Sequence, residues 1–258
     1  MILTLHAEWT KFRTAAGTFW LLLAAIGMTI GLGAVADAGA VCSSSACSQD
    51  PAKISLAGVY VGQVLVAVCA VTIMSAEYGT GMIRTTLTAM PNRVEVLTAK
   101  AVVAAGWALV AGVGGVVGSA VLGQLVLPGK GFTPANGFPS LALSNAGMLR
   151  AASGSVLYLV LIALLSLGIS TAVRDSAAGI GLVLGLLFAF PIALVMVSNP
   201  HWHRHLEQVA PMNAGLGIQT TVGVHSLPLS PWAGLGVVGL WAAGALVLGT
   251  LVLQLRDA

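Results

Sequence analysis

The sequence has very few charged residues. Asp, Glu, Lys and Arg together make up 7% of the chain, whereas hydrophobic residues make up 57% and the mean hydropathy is +0.96. Soluble domains carry about 25% charged residues, so this shortage excludes a soluble domain and predicts an integral membrane protein. The net charge of +3 is explained by cations at one side of the membrane, and no nucleic-acid partner is expected.

Residue patterns for catalysis or cofactor binding are also missing. There is no H-E-x-x-H segment, and the glycine-flanked Lys130 is followed by Gly131, where a phosphate-binding loop has Ser or Thr. Ser153 and Ser155 have no histidine in any predicted span to activate them. We therefore expect a protein that is not an enzyme and that binds no cofactor, metal or ATP itself.

Six hydrophobic stretches are long enough to cross a membrane as helices, because a span needs roughly 20 apolar residues. We expect one all-α membrane domain over residues 1–258. Acidic residues are absent from the middle of every span, and Asp37 and Glu77 lie at span ends, which argues against an ion-coupled carrier. The predicted spans are Phe19 to Ala36, Ser55 to Ala76, Thr98 to Leu127, Ala151 to Val173, Ser176 to Val197, and Trp232 to Leu255.

The distribution of Lys and Arg predicts the orientation of these spans. If both termini are cytoplasmic, seven cations lie inside and four lie outside, in agreement with the positive-inside rule. The seven are Lys11, Arg13, Arg84, Arg93, Lys100, Arg174 and Arg256, and the four are Lys53, Lys130, Arg150 and Arg204.

A polar segment from Glu77 to Lys100 separates the second and third spans. Its first half, to Met90, is predicted to be a short helix in the membrane interface that ends at Pro91. In this helix Tyr78, Met82 and Leu87 would face lipid or neighbouring helices, and Glu77 and Arg84 would face water. A simple turn needs only a few residues, so this segment is expected to have a function of its own.

The N-terminal residues 1–17 are predicted to form an arm on the inner membrane surface. Apolar Leu5, Trp9 and Phe12 alternate there with charged Glu8, Lys11 and Arg13 at helical spacing.

The cysteines fall into two groups. Cys42 and Cys47 lie in a short polar loop on the predicted outer side, where a disulfide between them would persist, although two free thiols are the alternative. Cys69 lies within the second span and is expected only to pack.

Residues 198–231 are predicted to form an outer loop region with a re-entrant or surface hairpin, because they are rich in Pro and Gly and too short to span. His201, His203 and His205 within it would share one side of an extended segment. They are candidate metal ligands, or they solvate the headgroup boundary.

Several motifs occur in an order typical of one family. The chain resembles the six-helix permease subunits of type-two ABC exporters, particularly the small actinobacterial ones, over essentially its whole length. The motifs are Glu8-Trp9-Thr10-Lys11, Glu77-Tyr78-x-x-Gly81-x-x-Arg84-x-x-Leu87, Pro91-x-Arg93, Ala99-Lys100, Gly168 with Arg174, Pro211, and the ending Leu255-Arg256-Asp257-Ala258.

The resemblance implies a bacterial cell-membrane subunit that pairs with a second permease, as a homodimer or with a close relative. Each permease would bind a separate cytoplasmic ATPase that holds ATP and Mg²⁺, through a coupling helix within residues 77–92. The implied cargo is a hydrophobic or amphipathic drug, natural product, lipid or peptide, and the resemblance does not identify it. The residues implied in coupling are Glu77, Tyr78, Gly81, Met82, Ile83, Arg84, Leu87, Pro91 and Arg93.

Two other functions remain compatible with the sequence. The chain could be a non-transporting membrane sensor or scaffold whose polar segment binds a cytoplasmic regulator, or a membrane enzyme with an unrecognised site.

Overall fold

The computed structural model describes residues 9–10, 16–42, 49–82, 88, 92–197 and 199–255. Over these residues the chain is α-helical and contains no strand. The helices are α1 (Ala16–Gly39), α2 (Pro51–Ser55), α3 (Val59–Gly79), α4 (Arg93–Val126), α5 (Ala146–Val173), α6 (Ser176–Met196), α7 (Pro200–Val209), α8 (Pro211–Leu216) and α9 (Pro231–Leu255).

Six of these helices, α1, α3, α4, α5, α6 and α9, are long and apolar enough to cross a membrane. The prediction of six spanning helices is confirmed in this sense. The largest differences are at the starts of α4 and α5, which begin at Arg93 and Ala146 and not at Thr98 and Ala151. Asn92 explains the earlier start of α4, because its side chain accepts a hydrogen bond from the Glu95 amide and caps the helix.

Other spans also begin at polar caps. The side chain of Asn145 accepts from the Gly147 amide at the start of α5, and that of Asp175 accepts from the Ala178 amide at the start of α6. Between them Arg174 ends α5 with a φ of 64°, a left-handed conformation that a non-glycine residue seldom adopts. The caps at Arg174 and Asp175 together allow a sharp reversal between α5 and α6.

Helix α5 lies at the centre of the bundle, where it packs against α3, α4, α6 and α9. Tyr158, Leu159 and Ile162 on α5 are completely or almost completely buried. The α5–α9 contact is a backbone contact, since a Cβ on Gly168 would lie only 2.5 Å from the carbonyl carbon of Ala245. Helix α1 packs on the other side, against α3 and α4.

The bundle has two different ends. We call one the pair end; it contains the C-terminal ends of α3, α5 and α9 and the N-terminal ends of α4 and α6. We call the other the loop end; it contains residues 40–42, 49–58, 127–145, 197 and 199–230. The structure does not specify which end is cytoplasmic, so the orientation stays a prediction.

At the loop end, α8 and the turn Gly217–Gln219 enter the bundle. Ile218 and Gln219 are buried, and the Gln219 amide donates to the Ser155 hydroxyl of α5 at 3.0 Å. Asp50 accepts hydrogen bonds from the backbone amides of Thr221 and Val222, which fixes the following loop. Of the two arrangements predicted for residues 198–231, a hairpin confined to the surface does not fit this buried segment.

Candidate functional site

A buried ion pair lies at the pair end. Glu77 is on the last turn of α3 and Lys100 is seven residues into α4, and Lys100 Nζ lies 2.8 Å from Glu77 Oε1. The Lys100 side chain is 1% exposed and that of Glu77 is 8% exposed. The prediction that Glu77 faces water is therefore wrong, because the carboxylate turns inward to the ammonium group of the next span.

This pair fixes α3 against α4. Removing one partner of a buried ion pair typically costs about 3–5 kcal/mol, because the other charge stays buried without compensation. A register shift between the two helices would have the same effect, since it would separate the two charges. The pair therefore holds the two flanks of the polar segment in one relative position.

Two arginines attach the end of α9 to the same region. The Arg93 guanidinium donates to the backbone carbonyl of Leu253, and Arg174 donates to that of Val252 at 3.4 Å. The last carbonyls of a helix have no partner within the helix and carry the negative end of its dipole. The guanidinium groups of Arg93 and Arg174 donate hydrogen bonds to these carbonyls and place positive charge at the negative end of the dipole.

Arg174 also contacts α3. Its guanidinium carbon lies 5.3 Å from the centroid of the Tyr78 ring, within the range of a cation–π interaction. The left-handed backbone at Arg174 ends α5 beside this ring. Nearby, the Ser170 hydroxyl donates to the Val71 carbonyl at 2.9 Å, so α5 and α3 are joined at two levels.

The ends of α3, α4, α5 and α9 are thus joined by four side chains, Glu77, Lys100, Arg93 and Arg174. Sequence reasoning proposed Glu77 and Arg93 as coupling residues and noted Arg174, but did not identify Lys100 as the partner of Glu77. The sequence contains a signal for this pairing. Lys100 is a lone cation at the start of a long apolar run, and only one connection between consecutive spans separates it from Glu77.

The start of the predicted coupling helix needs correction. Glu77, Tyr78 and Gly79 belong to the spanning helix α3, and Gly81 follows with a φ of +70°, a conformation that glycine adopts without strain. The break at Gly81 therefore excludes an interfacial helix that begins at residue 77. Met82 beyond it is 45% exposed.

Several other predicted residues lie outside the described part of the chain. In the polar segment these are Ile83, Arg84, Leu87 and Pro91, and in the arm they are Glu8, Lys11 and Arg13. Trp9 of the arm is described and is 49% exposed.

The cysteine predictions have a mixed outcome. Cys42 is disulfide-bonded, and its amide donates to the Lys130 carbonyl at 2.9 Å. Cys47 lies outside the described residues, so its pairing with Cys42 stays a prediction. Cys69 is free and buried, as expected for a packing residue.

The histidines lie on helix α7 and not on an extended segment, so the prediction that all three share one side is wrong. His201 and His205, four residues apart, meet edge to face with ring centroids 4.5 Å apart, while His203 Nδ1 lies 3.8 Å from the Glu207 carboxylate. Among the described residues no group of three or more His, Cys, Asp or Glu side chains could hold a metal ion.

Comparison with known protein families and with curated proteins finds no match to this chain.

Proposed function

We propose that this chain is the membrane-spanning subunit of an ATP-driven ABC exporter, in which a separate cytoplasmic ATPase supplies the energy. The resemblance of the motifs suggests the class. The observation that carries the proposal is the buried Glu77–Lys100 pair, because it joins the two flanks of the segment that would receive force from the ATPase.

The proposed mechanism needs a rigid connection from that segment into the bundle. Glu77 and Lys100 join α3 to α4, and Arg93 joins α4 to the end of α9. Arg174 adds α5 to this group through its contacts with Tyr78 on α3 and with a backbone carbonyl at the end of α9. A push on the polar segment would therefore displace four spans together and would not be lost in local bending. Such a displacement could switch a pathway between inward and outward states.

The exporter would contain two permease subunits. Only 17% of the most apolar stretch of α1 and 22% of that of α6 is buried within the chain. Large apolar side chains on them are exposed, among them Trp20 at 68% and Val195 at 88%. These faces are available to a second subunit or to lipid, and an apolar pathway between subunits suits a hydrophobic or amphipathic cargo.

The test is whether a cytoplasmic ATPase subunit copurifies with this chain from its native membrane. The double substitution Arg84→Glu with Leu87→Asp reverses a charge and removes an apolar anchor in the predicted docking segment, and it should release the ATPase while the permease dimer persists. Arg204→Glu with Trp202→Asp makes matched changes at exposed positions of the loop end and should leave the ATPase bound.

A stoichiometric ATPase in the purified docking variant would refute the assignment of the polar segment. Copurification of a kinase or another regulator in place of an ATPase would favour the sensor or scaffold function.

Coupling can be tested separately from docking. Glu77→Ala should lower the transport rate of the assembled complex, but it also leaves Lys100 buried without its carboxylate. The charge-swapped variant Glu77→Lys with Lys100→Glu keeps a pair and serves as the control. Recovery of transport in the swapped variant would show that the connection matters, and full transport in Glu77→Ala would contradict a role of the pair in coupling.

A further inference from the structure

An apolar cavity of about 1050 Å³ lies between α5, α6 and α9. Two glycines in its wall leave this space, since a Cβ on Gly185 or on Gly244 would meet no atom within 4 Å. Leu182 and Leu240 in the same wall are 55% and 76% exposed, so the cavity opens sideways at the surface of the bundle. In a membrane this opening faces the lipid chains.

The cavity is long enough for one acyl chain. Its wall on α9 extends from Val237 to Leu248, which corresponds to about 16 Å at a rise of about 1.5 Å per residue, and its wall on α5 reaches Val173, the last residue of that helix. The hydrocarbon core of a bilayer is about 30 Å thick, so the cavity extends over at least half of it. An acyl chain that enters beside Gln208 at the loop end would therefore fit within it.

The cavity is bounded by a polar residue at the loop end. Gln208 lines both the apolar cavity and a second pocket of about 730 Å³ at the loop end. Its amide donates to the Pro228 carbonyl at 3.2 Å, which holds α7 against the loop that forms the far wall of this pocket. The pocket also contains His203, Arg204, Glu207, His225 and Ser226.

The polar pocket carries charges of both signs. Arg204 and the imidazole of His225 can bind a phosphate group, and the Glu207 carboxylate can bind an ammonium group. A purely anionic ligand would bring its charge close to the Glu207 carboxylate, which lies 3.8 Å from the His203 imidazole, and would leave this carboxylate without an ammonium partner. A ligand with a phosphate, an ammonium group and an apolar chain would satisfy all three features of these adjacent cavities.

We propose that these adjacent cavities bind a zwitterionic phospholipid of the phosphatidylethanolamine class, which passes Gln208 and places one acyl chain between α5, α6 and α9. Its phosphate lies at Arg204 and His225, and its ammonium group lies at Glu207. This site is independent of the proposed transport function, because it needs neither an ATPase nor a second subunit.

Native mass spectrometry of the detergent-purified chain tests this site, with phosphatidylethanolamine and phosphatidylglycerol of identical acyl chains added at equal concentration. The wild-type chain should retain phosphatidylethanolamine more strongly. Glu207→Gln should reduce this preference by about tenfold, the effect of losing one charge-assisted hydrogen bond, and should not weaken binding of phosphatidylglycerol.

Filling the cavity provides the second arm. Gly185→Leu should reduce retention of both lipids, and Gly244→Leu is an independent variant in case the first one does not fold. Gly239→Leu on α9 is the matched control, because Gly239 has equal free space but does not line the cavity. Thermal unfolding of each variant verifies that it is folded.

Three results would overturn the proposal. The wild-type chain could retain the two lipids equally, or the leucine variants of the cavity could retain as much lipid as the wild type. In the third result, these variants keep their lipid but no longer bind a second copy of the chain. The last result would assign the cavity to a subunit interface.

Discussion

Replacing one partner of the Glu77–Lys100 pair should destabilise the protein far more than replacing both. The test uses three variants: Glu77→Leu, Lys100→Met and the double variant. Each single variant leaves one charge in a site that is almost completely shielded from solvent. The double variant removes both charges and keeps apolar side chains of similar size.

The expected magnitudes follow from the geometry. At 2.8 Å the attraction between the two charges is about 6 kcal/mol for an effective dielectric constant of about 20. The cost of desolvating both ions offsets much of this attraction, so the intact pair adds little over well-packed apolar residues. We expect each single variant to lose about 3–5 kcal/mol and the double variant to lie close to the wild type.

Equilibrium unfolding in mixed detergent micelles, followed by tryptophan fluorescence, measures these differences. Glu207→Gln is the control, because the Glu207–His203 contact is partly exposed and should contribute only about 0–1 kcal/mol. If the two single effects add up in the double variant within about 0.5 kcal/mol, Glu77 and Lys100 do not interact and the reasoning about the pair end fails.

Three further predictions concern other parts of the fold. Peptide mapping without reduction should find Cys42 in a disulfide, and a linked peptide with Cys47 would confirm the predicted partner. Asp37 is fully buried and neither carboxyl oxygen has a hydrogen-bond partner among the described residues, so Asp37→Asn should stabilise the protein by about 1 kcal/mol; lower stability would indicate a partner. Gly168→Ala should lower the stability in thermal unfolding by about 2 kcal/mol or more, because the added methyl group would collide with the α9 backbone. Gly244→Ala should not lower it, since the added methyl group would meet no atom, and equal effects of the two variants would contradict the close contact.

The six spans could be predicted because hydropathy over roughly 20 residues is a property of the local sequence. The caps at Asn92 and Asp175 also follow local rules, and they explain why α4 and α6 begin where they do. The start of the interfacial helix was wrong for a related reason, because the break at Gly81 depends on a single backbone angle and not on the pattern of apolar residues.

The partners at the pair end could not be predicted with the same rules. Glu77 and Lys100 are 23 positions apart, and their contact depends on how α3 packs on α4. Arg93 and Leu253 are 160 positions apart, so their contact depends on the arrangement of the whole bundle. Periodicity indicates which residues share a helix face, but not which helix the face meets.

The two ends of the bundle are held by different kinds of interaction, and this difference has a mechanical consequence. At the pair end, charged side chains join α3, α4, α5 and α9, and the strongest contact is a buried ion pair that tolerates little displacement. At the loop end, hydrogen bonds to the backbone, such as those that Asp50 accepts, hold the loops over the bundle. Helices α1 and α6 take no part in the four contacts described at the pair end. A force applied beside Glu77 would therefore act directly on α3, α4, α5 and α9 together, and it would reach α1 and α6 through their packing on these spans. In the proposed exporter, motion of α1 and α6, the two spans least buried within the chain, would take place at the faces available to a second subunit.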